Sequence, residues 1–166
     1  MKGAKIYINH HPGIYTLEAW QTLETGIDEA WEFFSNPANL SRITPSFMGF
    51  RITSVRPGPM YEGQIISYRI GILPFIKSSW VTEITRVKKG SYFIDEQRSG
   101  PYKIWHHEHH FMETENGVEM YDRVSYSIPL GIAGRIIHYL FIKKRLMEIF
   151  TYREKAIIEY LGEMEK

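Results

Sequence analysis

Residues 16 to 25, TLEAWQTLET, set Leu17, Ala19, Gln21 and Leu23 against Glu18, Trp20, Thr22 and Glu24, a period of two that predicts a strand. The period then lengthens. Ile27, Ala30, Trp31 and Phe34 fall at helical spacing, with Asp28 and Glu29 in the first turn and Asn36-Pro37 as a stop, so a short helix is expected. A second short helix is expected to start at Asn36 as cap with Pro37 in its first position, and to end before Pro45. From residue 47 to 128 six runs follow: FRITSV, GQIISYRIGIL, KSSWVTEITRV, SYFIDEQR, KIWHHEHHF and VEMYDRVSYSI. The turn signals PGPMYEG, Pro74, KKG, SGP and ENG separate them, and strands joined so briefly predict an antiparallel meander. Beyond Gly134 the helical period returns. Ile136, Leu140, Met147, Phe150, Ile157 and Leu161 form an apolar stripe, interrupted at Lys143 or Lys144, on one helix of about seven turns. Residues 1–14 read as a loose N-terminal segment.

The order strand, two short helices, six strands, long helix predicts an α+β fold with a curved seven-stranded antiparallel sheet. A sheet of that size twists, and a long helix laid across its concave side touches it best along one line. Space beside that line is expected to form an internal cavity. At 166 residues the chain fits one domain spanning 1–166. Tyr, Phe and Trp make up 14% of it, more aromatic surface than a small core readily absorbs, and aromatics commonly line ligand cavities. A formal net charge of +1, with acids and bases interspersed, gives no signal for nucleic acid. No apolar run approaches the roughly 18 residues that a membrane-spanning helix needs, so no membrane insertion is expected. The absence of cysteine removes disulfides, thiolate metal sites and thiol catalysis, and fits a cytoplasmic location.

The segment GPYKIWHHEHHF, residues 100 to 111, carries the densest chemistry. Alternation along a strand puts Trp105, His107, His109 and Phe111 on one face and His106, Glu108 and His110 on the other. The face with both aromatics is expected to point inward, which places His107 and His109 in the cavity wall with Cα atoms roughly 6.5 Å apart. His106, Glu108 and His110 then form solvated sheet surface. The inner pair fits three roles: imidazoles satisfied by a neighbouring strand, polar anchors for a ligand, or two ligands of a metal ion. The third role needs a further ligand that the spacing does not supply, so neither metal nor cofactor is expected. Asp95 and Gln97 share a face with Phe93 on the preceding strand, and the SGPY hairpin brings Asp95 toward His107 or His109, although Tyr92 and Ile94 compete for the inside. Asp122 alternates with Val124 and Tyr126 and either extends this polar strip or pairs with Arg123 or Arg98 at the surface. Tyr68 and Trp80 are expected to line the sheet floor.

The order of elements, GPYKIWHHEHHF and the later YDRVSYSIPLG together resemble the ligand-binding SRPBCC proteins, the START-like or helix-grip superfamily. The likeness spans residues 16 to 161. It is nearest to a small bacterial, polyketide cyclase-like branch that carries the residue types found here at Asp95, Gln97, Gly100, Pro101, Trp105, His107, His109, Phe111, Asp122, Tyr126, Pro129 and Gly131. The resemblance implies a cavity between sheet and helix that holds a lipid- or polyketide-like molecule, and in some members cyclisation or dehydration there. The expected function is therefore binding of a small hydrophobic or amphipathic molecule by Tyr68, Trp80, Phe93, Asp95, Gln97, Trp105, His107, His109, Phe111, Asp122 and Tyr126. The alternative is a cyclase, dehydratase or isomerase using His107 or His109 with Asp95 as acid and base. No nucleotide loop or Gly-x-Ser-x-Gly elbow supports a kinase or hydrolase.

Overall fold

The computed structural model describes residues 5–54, 58–73 and 76–164. Strands β1 (Lys5–His11) and β2 (Ile14–Leu23) are followed by helix α1 (Ile27–Phe34) and two 3-10 turns, Pro37–Ser41 and Ser46–Met48. Then come β3 (Arg51–Ile52), β4 (Ile65–Leu73), β5 (Ile76–Lys88), β6 (Tyr92–Ser99), β7 (Ile104–Thr114) and β8 (Gly117–Ser127). Helix α2 (Gly131–Ile137), a wide π turn (His138–Ile142) and helix α3 (Lys143–Met164) finish the described chain. All strand pairs are antiparallel, in one curved sheet ordered β1-β2-β8-β7-β6-β5-β4-β3, and α3 packs across its inner side. The α+β architecture expected from the sequence is present.

Four details differ from expectation, each for a local reason. The sheet has eight strands, because residues read as a loose segment form β1 and pair with β2 from Lys5↔Trp20 to His11↔Ile14. Only Ile6 and Ile8 of this edge strand are half-buried, so its alternation is faint. The second short helix reduces to 3-10 turns: Asn36 does cap the first, its Oδ1 accepting from Ala38 N at 3.1 Å, but Pro45 disfavours the α region at Thr44 and ends the winding early. The FRITSV run shrinks to Arg51–Ile52, and the turn signals at Pro57 and Pro74 lie outside the described residues.

The fourth difference is the phase of the C-terminal stripe. The buried positions are Gly134, His138, Ile142, Leu146, Phe150, Arg153, Ile157 and Leu161, whereas Ile136 and Leu140 are each 56% exposed. Two of those buried positions are polar, so a search for apolar residues skips them and settles on the wrong neighbours. Gly134 sits where α2 meets the end of β8, and an added Cβ would collide with the Pro129 carbonyl oxygen. His138 is accommodated by Tyr126, whose hydroxyl lies 2.8 Å from Nε2, and by Tyr15, whose ring stacks at 3.7 Å. Tyr126→Phe is expected to leave that nitrogen without its partner and to cost about 1 to 2 kcal/mol, read as a lower urea midpoint at unchanged slope. No helix among the described residues is long and apolar enough to cross a membrane.

Candidate functional site

Strand register assembles the site. Asp95 of β6 stands opposite His107 of β7, and His109 stands opposite Phe93 of β6 on one side and Asp122 of β8 on the other. These side chains share the inner face, as the alternation requires. Asp95 Oδ2 lies 3.0 Å from His109 Nε2 and 3.5 Å from His107 Nδ1. Asp122 Oδ1 lies 2.6 Å from His109 Nδ1 and 3.3 Å from His107 Nε2. The contact to His109 is an ion-pair distance without hydrogen-bond alignment, since Asp122 Oδ1 has no hydrogen-bond partner among the described residues. The two imidazoles are tilted with ring centres 3.7 Å apart, and Phe93 stacks on His109 at 4.1 Å.

From the helix side Arg153 completes the group, its Nη2 lying 3.4 Å from His109 Nδ1 and its guanidinium near the rings of Phe150 and Phe34. Arginine can only donate, and His109 Nδ1 is already turned to a carboxylate at 2.6 Å, so Arg153 acts here through its charge on the acids. Arg153 was not anticipated from the sequence. Its signal is its place three residues after Phe150 and four before Ile157, on the buried stripe.

The electrostatics divide the two histidines. Burial, reinforced by the neighbouring His109, holds His107 down at about 4 and outweighs both aspartates. Burial also opposes charge on His109, but Asp122 and Asp95 overcome it and hold the group above the ordinary imidazole range. Asp95 is kept below the usual carboxylate range, because the His109 hydrogen bond and nearby positive charge outweigh the cost of burial. Asp122 lies well below that range, with Arg153 and His109 outweighing burial. Two carboxylates, one imidazolium and one guanidinium sum to zero, which is how ionised groups persist in this interior.

The cluster forms the polar wall of a cavity of about 140 Å³ between the sheet and α3. Tyr68, Trp80, Asp95, Trp105, His107 and His109 all line it, joined by Tyr102, Leu146, Phe150 and Arg153. A second cavity of about 80 Å³, lined by Phe93, lies beyond Tyr68, Asp95, His109 and Arg153, which face both spaces. The remaining expected residues are elsewhere. Phe111 is core, 5.8 Å from the Trp31 ring and 5.2 Å from Phe34; Asp122 stands behind the histidines; Tyr126 is fully buried against His138. Gln97 does not line the cavity: its side chain clasps the backbone of Tyr102, with Nε2 donating to the carbonyl at 2.7 Å and Oε1 accepting from N at 3.2 Å. Gly100 permits this clasp, since an added Cβ would collide with the Gln97 amide. The result is that Tyr102 is held in the wall. On the outer face His106 meets Glu96 at 2.9 Å and His110 meets Glu108 at 3.1 Å, both half-exposed.

Solved structures share this architecture. Protein TTHA0849 of Thermus thermophilus superposes with a TM-score of 0.68 at 14% identity, over 91% of this chain and 99% of that one. The Bet v 1-like allergen Ara h 8.0201 does so with a TM-score of 0.61 at 12% identity, over 91% of this chain and 99% of the allergen. The fold is a helix-grip. A nucleoside-diphosphate sugar epimerase from Corynebacterium glutamicum matches with a TM-score of 0.60 at 21% identity, and there the helix-grip unit accounts for 29% of the chain. Identities this low carry the fold and leave the chemistry to the site itself. No protein-family model and no curated protein matches the sequence.

Proposed function

We propose that this helix-grip chain is an SRPBCC-type binding module that holds one small amphipathic molecule, its apolar body in the cavity and its acceptor or anionic end at the cluster. One observation carries the reading: buried donors with no hydrogen-bond partner among the described residues, Trp80 Nε1 and Arg153 Nε, belong to side chains that line a largely apolar cavity. A buried donor left unpaired costs about 1 to 3 kcal/mol, and a ligand oxygen would remove that cost. The size of the cavity limits the guest. About 140 Å³ matches the space of about 150 Å³ that accepts benzene in an engineered protein core, so one ring fits. A longer lipid- or polyketide-like body needs the neighbouring cavity as well, which is consistent with the residues the two share.

Proton-transfer chemistry is the weaker reading on electrostatic grounds. An imidazole held at about 4 is a feeble base at neutral pH, and a His109 cation clamped between two carboxylates is a reluctant acid. The same features suit an anchor. Native mass spectrometry of freshly purified protein is expected to show one copurifying small molecule, and calorimetry is expected to show one-to-one binding of benzoate in preference to benzene. Leu146→Trp should abolish that binding by filling the cavity. His107→Ala and His109→Ala should weaken it by about 1 to 3 kcal/mol in the folded fraction, while His106→Ala and His110→Ala leave it unchanged. Equal effects from inner and outer histidines would remove the proposal.

A further inference from the structure

A ligand anchor does not require two carboxylates and two imidazoles on adjacent strands, and their spacing has a second meaning. Asp95 Oδ2 is 3.0 Å from His109 Nε2 and 3.5 Å from His107 Nδ1, and donor atoms of the three residues all lie within 4.8 Å of one another. A tetrahedral metal site with bonds of about 2.0 to 2.2 Å has edges of about 3.3 to 3.6 Å, so the 3.5 Å separation fits and the 3.0 Å one needs to open by a few tenths of an ångström. The nitrogens on the far side of both rings face a single atom, Asp122 Oδ1, at 2.6 and 3.3 Å. A carboxylate in that position is the usual support of a histidine metal ligand, and Asp122 needs only to turn into hydrogen-bond alignment with the rings to supply it. Asp95, His107 and His109 also line the cavity, so a fourth position would open toward the bound molecule.

We propose that Asp95, His107 and His109 hold one divalent first-row transition-metal ion, with Asp122 as the residue that positions both imidazoles. The histidine pair alone, two residues apart on β7, supplies only two ligands; β6 brings the third by pairing Asp95 directly with His107. Two imidazoles and one carboxylate suit zinc or ferrous iron. Metal would sit between Asp95 and His109, where a shared proton now joins them. With neutral imidazoles, a divalent ion, two carboxylates and the Arg153 guanidinium leave one excess positive charge beside the cavity. That excess favours an anionic end on the molecule held there. The metal site shares a wall with the proposed ligand site and stands without it, because zinc binding is measured with no organic molecule present.

The chain has seven histidines, and the outer-face pair His106 and His110, with Glu96 and Glu108 beside them, together with His10 and His11, compete for added metal. A variant carrying His10→Ala, His11→Ala, His106→Ala and His110→Ala keeps only His107, His109 and His138. Titration of this variant and of the parent, both stripped by chelator, is expected to show one tight equivalent of zinc. Cobalt in the variant should give the visible bands of a four- or five-coordinate site and paramagnetically shifted resonances from two imidazoles. Asp95→Asn and His109→Gln, checked for folding by circular dichroism, should bind at least 100-fold more weakly, and Asp122→Asn about 10- to 100-fold more weakly. Loss of the tight equivalent in the four-histidine variant, or its retention in folded Asp95→Asn, would overturn the proposal. If the inner variants do not fold, the cobalt resonances of the four-histidine variant decide, since two shifted imidazoles there support the site and none rejects it.

Discussion

Arg153→Met is expected to destabilise the metal-free protein by about 3 to 5 kcal/mol at neutral pH and by clearly less at pH 5. Methionine keeps an aliphatic stem of similar length and removes the guanidinium, so the change is chiefly one of charge. Arg153 is one of the two cations that offset Asp95 and Asp122, and it helps to hold both below the usual carboxylate range. Without it the buried group carries a net negative charge that water cannot reach. Lowering the pH repairs this, because Asp95 and Asp122, no longer held down by the guanidinium, bind protons more readily, and one added proton restores neutrality. Arg153→Lys retains the charge without the planar fork and should lose less than Arg153→Met at pH 7. Urea midpoints for the three proteins at pH 7 and pH 5 measure this, and a loss of equal size at both values would show that Arg153 contributes by packing alone.

The sequence made strand faces legible and helix phase much less so. Alternation along KIWHHEHHF placed His107 and His109 inside and His106 and His110 outside, and that is where they lie. The same reasoning, carried through one hairpin, brought Asp95 to them. It worked because the period of a strand is two and one inward aromatic fixes the whole run. Gln97 shows its limit: the strand face was right in period, but a side chain near a hairpin end is claimed by the turn, and Gly100 let it close on Tyr102. The C-terminal helix was harder because its buried stripe carries a histidine, an arginine and a glycine. An apolar search therefore selected Ile136 and Leu140, and a π turn at His138–Ile142 shifted the phase where the search was weakest. Arg153 was hidden by the same assumption. Charged residues are seldom fully buried unless paired, and its partners are distant in sequence. The three-ligand constellation was equally out of reach, because spacing along one strand shows two histidines while the third donor is fixed only by the register of the next.

Stability of the metal-free protein is expected to fall steeply as pH drops from about 6.5 toward 4, before the acidic residues themselves titrate. His107 and His138 are both held at about 4 in the folded chain, His107 by burial and the nearby His109, His138 by burial with Lys143 and His10 adding to it. Unfolded, each returns to about 6.5. Between those values the unfolded chain binds protons that the folded chain refuses, so acid favours unfolding. Each histidine that stays neutral in the folded chain removes up to about 1.4 kcal/mol per pH unit, so the acid limb takes a sizeable share of a small domain's stability. His109 has the opposite sign. Its folded pKa is raised, so its contribution is fully present below about 6.5 and is lost as pH climbs through the folded value. Asp95 and Asp122, held low, add their own loss only below about 4. The stability profile is therefore expected to peak near neutrality and decline on both sides, with two protons taken up per unfolding event on the acid limb. His138→Asn should halve the acid slope while keeping a hydrogen-bonding side chain beside Tyr126. Urea midpoints from pH 8 to 4.5 measure both slopes, and a flat limb between 6.5 and 4.5 would mean that neither imidazole is kept neutral by its surroundings.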